Sequence, residues 1–144
     1  MKQKKAKAIL LMKNNGTTVT FISNVKAFYD EFDAAVKKAL EEMGIEAEAH
    51  AKEIITEKGA VDTGRLRNSI TWAVGGESAH AAGYSGTAPK KDEPCVYIGS
   101  NVEYAPWIEN GTSRMKERPF LRPAVEDFAD EYKEIVERNL GKIK

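Results

Sequence analysis

The sequence feature that most constrains the fold is a single amphipathic pattern that runs through residues 25–57. Apolar or small side chains recur there in steps of three and four, which places them on one face of an α-helix. The residues of this stripe are Phe28, Phe32, Val36, Leu40, Met43, Ala47, Ala51 and Ile54. A helix of this length would span about 50 Å, whereas helices in globular proteins average about 11–12 residues. The pattern therefore predicts a long helix that needs a second surface to cover its apolar stripe.

Two surfaces are able to cover that stripe, and the sequence alone leaves both open. One is the chain's own sheet together with its C-terminal helix, and the other is a neighbouring subunit. Gly44 lies in the middle of the pattern, and glycine costs about 1 kcal/mol relative to alanine inside a helix. We therefore expect a kink or a break in the helix at Gly44.

The composition is that of an ordinary globular chain. Its 144 residues, 42% of them apolar, predict one domain over residues 1–144 with one core. Basic and acidic residues number 22 each, so no overall positive field attracts DNA or a membrane surface. Cys95 is the one cysteine, which excludes an intrachain disulfide and fits a reducing compartment. No stretch approaches the roughly 20 apolar residues of a membrane span, so we expect a soluble protein that is cytoplasmic when made.

The charge is nevertheless distributed unevenly along the chain. Residues 1–15 carry five lysines and no acidic residue, whereas residues 25–57 carry nine acidic residues and four lysines. One interpretation is a head-to-tail contact in which the basic head of one subunit meets the acidic helix of another. The other is a solvated tail and a solvated helix face, because exposed charge pairs contribute little.

β-structure is predicted on both sides of the long helix. Residues 7–23 (KAILLMKNNGTTVTFIS) place two β-prone runs around Asn-Asn-Gly, which is typical of a hairpin, so residues 1–23 form a basic, hairpin-like N-terminus. Residues 69–74 (SITWAV) and 95–99 (CVYIG) each alternate like a strand and are expected to pair antiparallel. Between them, residues 75–94 are rich in Gly, Ser, Ala, Pro and charge. We expect this segment to be a flexible loop that orders on contact with a partner.

A second helix is predicted at the C-terminus, opening at Pro123 and ending at Gly141. Its apolar stripe is Leu121, Val125, Phe128, Tyr132, Ile135 and Val136. The predicted fold class is therefore α+β. It comprises an N-terminal β-hairpin, a long amphipathic helix, an antiparallel sheet with a long mobile hairpin loop, and a C-terminal helix packed on the sheet.

The most specific stretch is residues 101–124, NVEYAPWIENGTSRMKERPFLRPA. Residues 104–111 indicate one helical turn, with a proline near its start and a glycine past its end. Two prolines stiffen residues 118–123 and favour extended backbone before each of them. A segment this dense in aromatic, proline and arginine residues is compatible with an active site, a nucleic-acid clamp or an assembly surface.

A catalytic or metal site is poorly supported by the residues present. His50 and His80 lack ligand-like partners at metal-motif spacing, and a lone histidine on a helix is more often a surface residue. Cys95 lies in a predicted strand with no local base, so we interpret it as a buried small apolar residue. Asp62 and Glu109 are possible paired carboxylates, but helix capping and ion pairing with arginines explain them more simply.

Nucleic-acid binding and protein assembly remain as alternatives for this segment. Basic and aromatic residues interleave over residues 104–122, an arrangement that can follow a phosphate backbone and stack bases. Three glutamates lie among them, which opposes the phosphate contacts that such binding requires. Trp107, Arg114 and Arg122 belong instead to residue types enriched at protein interfaces, and a proline-stiffened arm loses little entropy on docking. These three residues are the interface candidates.

Two blocks of the sequence carry a resemblance to a known family. Residues 61–70 (VDTGRLRNSI) and 96–127 (VYIGSNVEYAPWIENGTSRMKERPFLRPAVED) resemble the tail-component family of long-tailed, siphovirus-type phages, which includes tail-completion and head–tail joining (neck) proteins. The residues that match its motif are Asp62, Thr63, Gly64, Leu66, Ser69, Gly99, Tyr104, Ala105, Glu109, Gly111, Thr112, Arg118, Pro119, Phe120 and Leu121. Order and spacing are kept over about half of the chain, and the departures lie in the N-terminal third.

The resemblance implies a structural virion protein with no catalysis, no cofactor and no metal. It implies a subunit of a ring, a hexamer, in the neck of the virion, assembled in the host cytoplasm. Its partners would be further copies, head-completion or connector proteins, and tail-terminator or tail-tube proteins. DNA would pass through the channel without sequence-specific binding, and no membrane would be involved. Gly64 and Gly111 would fix two turns that place Tyr104, Trp107 and Phe120.

Overall fold

The computed structural model describes residues 11–14, 17–20, 25–59, 64–75 and 93–143. Its elements in chain order are β1 (Leu11–Asn14), β2 (Thr17–Thr20), α1 (Val25–Glu57), α2 (Arg65–Ser69), β3 (Thr71–Val74), β4 (Val96–Gly99), α3 (Ala105–Asn110), α4 (Leu121–Glu126) and α5 (Ala129–Leu140). The predicted α+β class is confirmed. Within the described part of the chain, every helix is too short or too polar to cross a lipid bilayer.

Two antiparallel pairs of strands make up the β-structure of these residues. β1 pairs with β2, and β3 pairs with β4 in a register that sets Thr71 opposite Gly99 and Val74 opposite Val96. Both predicted pairings are present, with shifted boundaries, because Ser69 ends α2 and Cys95 precedes β4. Several predicted features lie outside the described residues: Asn15 and Gly16 in the hairpin turn, Asp62, Thr63, His80, and residues 76–92 of the predicted loop.

α1 is the predicted long helix, and it runs without a break for 33 residues. The face that it buries is rotated slightly from the predicted stripe. Its buried residues are Ala39, Gly44, Ala47, Ala51 and Ile55. The inner side chains are therefore mostly small, which lets the sheet and α5 approach the helix axis closely.

α1 continues through Gly44 without interruption, so the expected break of the helix there was wrong. The indole of Trp72 on β3 lies where a side chain at this position would stand, and a Cβ on Gly44 would be 2.5 Å from two ring atoms. Gly44 is thus required by close packing rather than by backbone conformation. The contact fixes the register of α1 against β3.

β3 is buried at all four of its positions. The predicted alternation of buried and exposed residues was therefore wrong for this strand. α1 packs along β3, and Trp72 covers the helix at Gly44. β4 keeps a more open face, with Tyr97 exposed.

Two clusters of buried residues lie along α1. The first joins the second half of α1 to α2, α3 and α4, and it contains Ala51, Ile55, Leu66, Ile70, Val102, Ala105, Phe120 and Ala124. The second joins α1 to α5, and it contains Ala39, Ala47, Tyr132 and Ile135. Ile98 of β4 packs against both clusters, so the C-terminal helix also reaches the sheet as predicted.

The predicted C-terminal helix is divided into α4 and α5. It begins at Leu121, two residues before Pro123, and the break falls at Asp127 and Phe128. Across the break, the Tyr132 hydroxyl donates a hydrogen bond to the carbonyl of Ala124. Burial raises the pKa of Tyr132 to about 12. The bend lets α4 close the first cluster while α5 lies along α1.

A polar contact fastens α5 to α1 beside the second cluster. Arg138 Nη2 and Asn139 Nδ2 each donate to Glu42 Oε2 at 2.8 Å. The hydrogen bond from Arg138, followed by that from Asn139, holds the pKa of Glu42 below its usual value. Asn139 is buried and also donates to the carbonyl of Ile135, so its side-chain amide is satisfied in the core.

The N-terminal end of α1 forms an exposed overhang. None of residues 25–38 is buried, but Asp33, Val36 and Lys37 line one recess with Val74 and Pro94 at the end of the sheet. Residues 25–32 therefore project by about 12 Å at 1.5 Å per residue. Three aromatic side chains remain exposed on it: Phe28 by 50%, Tyr29 by 59% and Phe32 by 38%. Phe28 stacks on Phe32 with ring centroids 6.4 Å apart. We call these three residues the aromatic stripe of α1.

Replacing Gly44 with alanine tests the Trp72 contact, because that contact decides whether the change lowers or raises the free energy of unfolding. At an open helix position this change stabilises a protein by about 1 kcal/mol, whereas overpacking of a core costs about 1–3 kcal/mol. We expect Gly44→Ala to lower the free energy of unfolding in urea. In a Trp72→Leu background, the same change should lower it less or raise it. Equal losses in both backgrounds would contradict the packing explanation.

Candidate functional site

The candidate site is the segment from Val102 to the end of α4 at Glu126, which makes up most of the second motif block. We call this segment the corner. α3 follows β4 after a short turn, and the Ala105 N–H donates to the Val102 carbonyl at 3.0 Å. Pro106 lies in the first turn of α3, where its missing N–H leaves no hydrogen bond unmade. Gly111 ends the helix, so the predicted helical turn is confirmed.

Glu109 organises this corner. Its carboxylate accepts three backbone N–H groups at the start of α4, from Phe120 at 2.7 Å, Leu121 at 2.9 Å and Arg122 at 3.0 Å. The first N–H groups of a helix have no partner within the helix, and a carboxylate there also opposes the positive end of the helix dipole. Glu109 therefore caps α4 from a different helix. Helix capping, one of the two explanations that the sequence offered for Glu109, is therefore confirmed.

Further contacts hold the strand-like residues before α4 against the body of the protein. The Arg118 N–H donates to the Ile108 carbonyl at 2.8 Å. Lys58 Nζ, just past α1, donates to the Pro119 carbonyl at 2.6 Å. Phe120, which follows, is fully buried in the first cluster. The segment 118–123 is therefore held against the subunit's own core through Phe120 and does not project as an arm.

Gly111 permits the turn between α3 and residue 118. Its backbone has φ +71° and ψ −179°, a conformation that is open essentially only to glycine. A Cβ there would also lie 2.7 Å from the Glu117 nitrogen. Thr112 then closes the turn, because its Oγ1 accepts from the N–H groups of Arg114 and Met115. The Gly-Thr pair of the motif thus has a structural role.

The first motif block meets the second through a pair of serines. Gly64 has φ +73° and stands at the N-cap of α2. Ser69 Oγ, at the end of α2, donates to the Leu66 carbonyl and lies 2.6 Å from Ser100 Oγ. Ser100 Oγ in turn accepts the Val102 N–H. These contacts tie α2 to the start of the corner, directly after Gly99.

The three interface candidates lie on the outer side of this corner. Trp107 on α3 is 58% exposed, and Arg114 and Arg122 are exposed as well. Of the other aromatic residues in the segment, Phe120 is fully buried and Tyr104 packs against the first cluster. Among residues 104–122, Trp107 is thus the one exposed aromatic ring. A platform on which several bases stack needs more than that.

His50 is more enclosed than a surface histidine. Its ring stacks on Phe128 with centroids 3.5 Å apart, and its Nε2 lies 3.3 Å from a carboxylate oxygen of Glu131 without a hydrogen bond. Glu46, one turn earlier on α1, brings a second carboxylate, and the three potential ligand atoms lie within 4.8 Å of one another. Glu46 is exposed and the Glu131 side chain is 43% exposed. A structural zinc site is closed by four ligands, so we interpret this group as a surface ion-pairing cluster.

Cys95 is partly buried immediately before β4, with its sulfur 4.0 Å from a carboxylate oxygen of Glu93. A neighbouring carboxylate does not activate a thiol, since a thiolate is stabilised by positive groups. Cys95 is thus not the fully buried residue that the sequence predicted, and it has no feature of a nucleophile. Helix capping was one of the two explanations that the sequence offered for Glu109, but nothing in the sequence indicated that the capped helix is α4.

The cap predicts a large and specific cost for altering Glu109. Hydrogen bonds to charged groups contribute about 1.5–3 kcal/mol each, so Glu109→Ala should lower the free energy of unfolding by at least about 2 kcal/mol. Glu109→Gln keeps one acceptor oxygen and should lose less. Urea denaturation measures both variants, with the exposed Glu103→Gln as the matched control. A loss no larger than that of the control would contradict the cap.

Gly111→Ala is expected to be more disruptive than the same change at Gly59. Gly59 also has a positive φ, +61°, but a Cβ there meets nothing within 4 Å. Its alanine variant should lose about 1 kcal/mol through backbone strain alone. At Gly111 the backbone conformation is one that alanine avoids, and the added Cβ would also lie 2.7 Å from the Glu117 nitrogen. We therefore expect Gly111→Ala to lower the free energy of unfolding by about 3 kcal/mol or more. Thermal unfolding of the two variants compares them directly, and equal losses would rule out the close contact as a cause.

Comparison with known proteins agrees with the motif blocks. A family model described as "Bacteriophage HK97-gp10, putative tail-component" matches residues 20–111. The match runs from before α1 through α3 to Gly111, nearly two thirds of the chain, and stops short of residues 118–121. No curated protein and no solved structure matches the chain. The family predicted from the sequence is confirmed, and the chain belongs to the HK97-gp10-like family of phage tail components.

Proposed function

We propose that this chain is a structural protein of the phage neck, where six copies form a ring that joins or completes the tail at the head–tail interface. The observation that carries the proposal is the family match over residues 20–111. A tail component acts through contacts with other virion proteins. The proposal accordingly assigns the chain no catalysis and no cofactor.

The corner around α3 and α4 supports this role by its rigidity. Glu109 joins the two helices, and Phe120 is locked in the core. The exposed side chains on its outer side, Trp107 among them, are therefore presented by a backbone that does not need to order on binding. Such a surface suits a subunit that binds its neighbours in the virion in one fixed orientation. Trp107, Arg114 and Arg122 are its proposed contacts with neighbouring virion proteins.

The proposed partners are further copies of the chain, head-completion or connector proteins on one side, and tail-terminator or tail-tube proteins on the other. The ring would surround the channel through which DNA leaves. The chain has equal numbers of basic and acidic residues, so DNA would pass without being held by a positive field. The protein would assemble in the host cytoplasm and reside in the virion.

The alternative of a small nucleic-acid-binding protein has less support from the described residues. It relied on arginines and aromatic residues over residues 104–122, and Phe120 is unavailable for stacking because it is fully buried. If this alternative held, affinity for duplex DNA would fall steeply with salt, with a slope near −0.9 per phosphate contact. Weak binding to duplex DNA that does not change with salt concentration would exclude this alternative.

Deleting the gene from the phage or prophage that encodes it tests the neck assignment. We expect lysates with filled heads and separate tails in electron micrographs, and a loss of infectivity of several orders of magnitude. A plasmid copy of the wild-type gene should restore joined virions. Antibody labelling of the restored particles should mark the junction of head and tail. Fully joined, infectious virions made without the polypeptide would overturn the proposal.

A further inference from the structure

The ion-pairing cluster of Glu46, His50 and Glu131 contains a polar atom that the described residues leave unsatisfied. His50 Nε2 is buried and has no hydrogen-bond partner, although a carboxylate oxygen of Glu131 lies 3.3 Å away. The imidazole is covered by Phe128, with ring centroids 3.5 Å apart, and packs at 60° to the ring of Tyr132. A buried polar atom without a partner is costly. We therefore expect a group from outside the chain to complete the contacts of this nitrogen.

The charge around this nitrogen is negative. Within the part of the chain that the structure describes, neither Glu46 nor Glu131 forms an ion pair with a lysine or an arginine. Burial raises the pKa of Tyr132 to about 12, and the charges of Glu131 and Glu46 add to that shift, so both act on the same ring. Ion pairing within the cluster requires a protonated His50. When the imidazole is neutral, a water molecule would satisfy the nitrogen, but only a cation would also offset the two carboxylates.

The spacing of the three groups suits a metal ion. Two ligands that lie about 2.1 Å from Zn²⁺ at the tetrahedral angle are about 3.4 Å apart, close to the 3.3 Å between His50 Nε2 and Glu131 Oε2. The three potential ligand atoms all lie within 4.8 Å of one another. Glu46 is exposed, so a change of its rotamer is able to shorten the remaining distances.

We propose that Glu46, His50 and Glu131 bind a divalent transition-metal ion, and that Zn²⁺ suits this ligand set best. An imidazole nitrogen beside carboxylate oxygens suits Zn²⁺ better than Mg²⁺ or Ca²⁺, which take oxygen ligands. Three protein ligands leave at least one coordination position to water. The site is therefore open and its ion exchangeable, unlike a structural site that is closed by four ligands.

The ion would join α1 to α5 beside the bend between α4 and α5. Glu46 and His50 lie one turn apart on α1, Glu131 lies in the first turn of α5, and His50 stacks on Phe128 at the bend. Because the ligands come together only when both helices are in place, binding would stabilise the folded chain. The inference concerns a contact within one copy and is independent of the neck assignment.

Calorimetric titration of the metal-free chain with Zn²⁺ tests the site. The protein is prepared without a histidine tag and with His80→Ala, so that His50 is its one histidine. We expect one Zn²⁺ to bind per chain and the imidazole signals of His50 to shift in NMR spectra. Mg²⁺ at the same concentration should do neither. No heat of binding, unchanged imidazole signals, or an equal response to Mg²⁺ would overturn the proposal.

The double variant Glu46→Gln with Glu131→Gln weakens two ligands while leaving the imidazole in place. Loss of a group that only orients a metal ligand lowers affinity about 10–100-fold, so we expect this variant to bind Zn²⁺ at least about 100-fold more weakly. Glu134→Gln, at an exposed position one turn later on α5, is the matched control and should keep the original affinity. Circular dichroism checks that both variants are folded. Equal affinities in the two would contradict the site.

Cys95 is the competing zinc ligand among the described residues, because a thiolate also binds this metal. Cys95→Ser should leave the affinity for Zn²⁺ unchanged, and a large loss would place the ion beside β4 and overturn the proposal. Thermal unfolding adds a second readout. Zn²⁺ at about 100 times its dissociation constant should raise the midpoint by about 5 °C or more. An equal rise in the double variant would mean that zinc acts elsewhere on the chain, and the proposal would fail.

Discussion

The three hydrogen bonds to the Glu109 carboxylate are the interaction on which the C-terminal half of the structure depends. They satisfy the first N–H groups of α4, a helix whose own N-cap residue, Phe120, has no polar side chain. Because the capping group comes from α3, the two helices cannot separate without leaving a charged group and three N–H groups unpaired. The same bonds hold Phe120 in the first cluster, where it meets α1 and α2.

This arrangement changes the interpretation of residues 101–124. Their sequence suggested a segment that docks on other chains, with Trp107, Arg114 and Arg122 as its contacts. Several of its other residues instead hold the subunit's own structure: Gly111 permits the turn, Glu109 caps α4, and the Pro119 carbonyl accepts from Lys58. A docking role is left to the exposed side chains on the outer side of the corner. The larger apolar surface lies elsewhere, on the overhang of α1.

How far the sequence predicted the fold depends on how local each determinant is. The 3.6-residue period of apolar side chains predicted α1. Pro106 and Gly111, at the two ends of α3, predicted that helix. Both signals act within one or two helical turns. The burial of β3 on both sides and the packing role of Gly44 were missed, and capping by Glu109 was expected without its partner helix α4, since each depends on residues outside the local turn. The break at Phe128 was missed for the same reason: the ring stacks on His50 of α1. Of the candidate site, the sequence predicted the helical turn of α3, but it did not predict the contacts that Glu109 and Phe120 make within the subunit.

The packing of Trp72 onto Gly44 has a mechanical consequence for the whole subunit. The indole lies where a helix side chain would otherwise stand, so α1 is keyed to the sheet and resists sliding or turning about its own axis. The free end of α1 at Val25 lies about 28 Å along the helix axis from that anchor. A force applied at the N-terminal end of α1 would therefore act on β3 through this contact. The helix and the sheet would tilt together rather than move past one another.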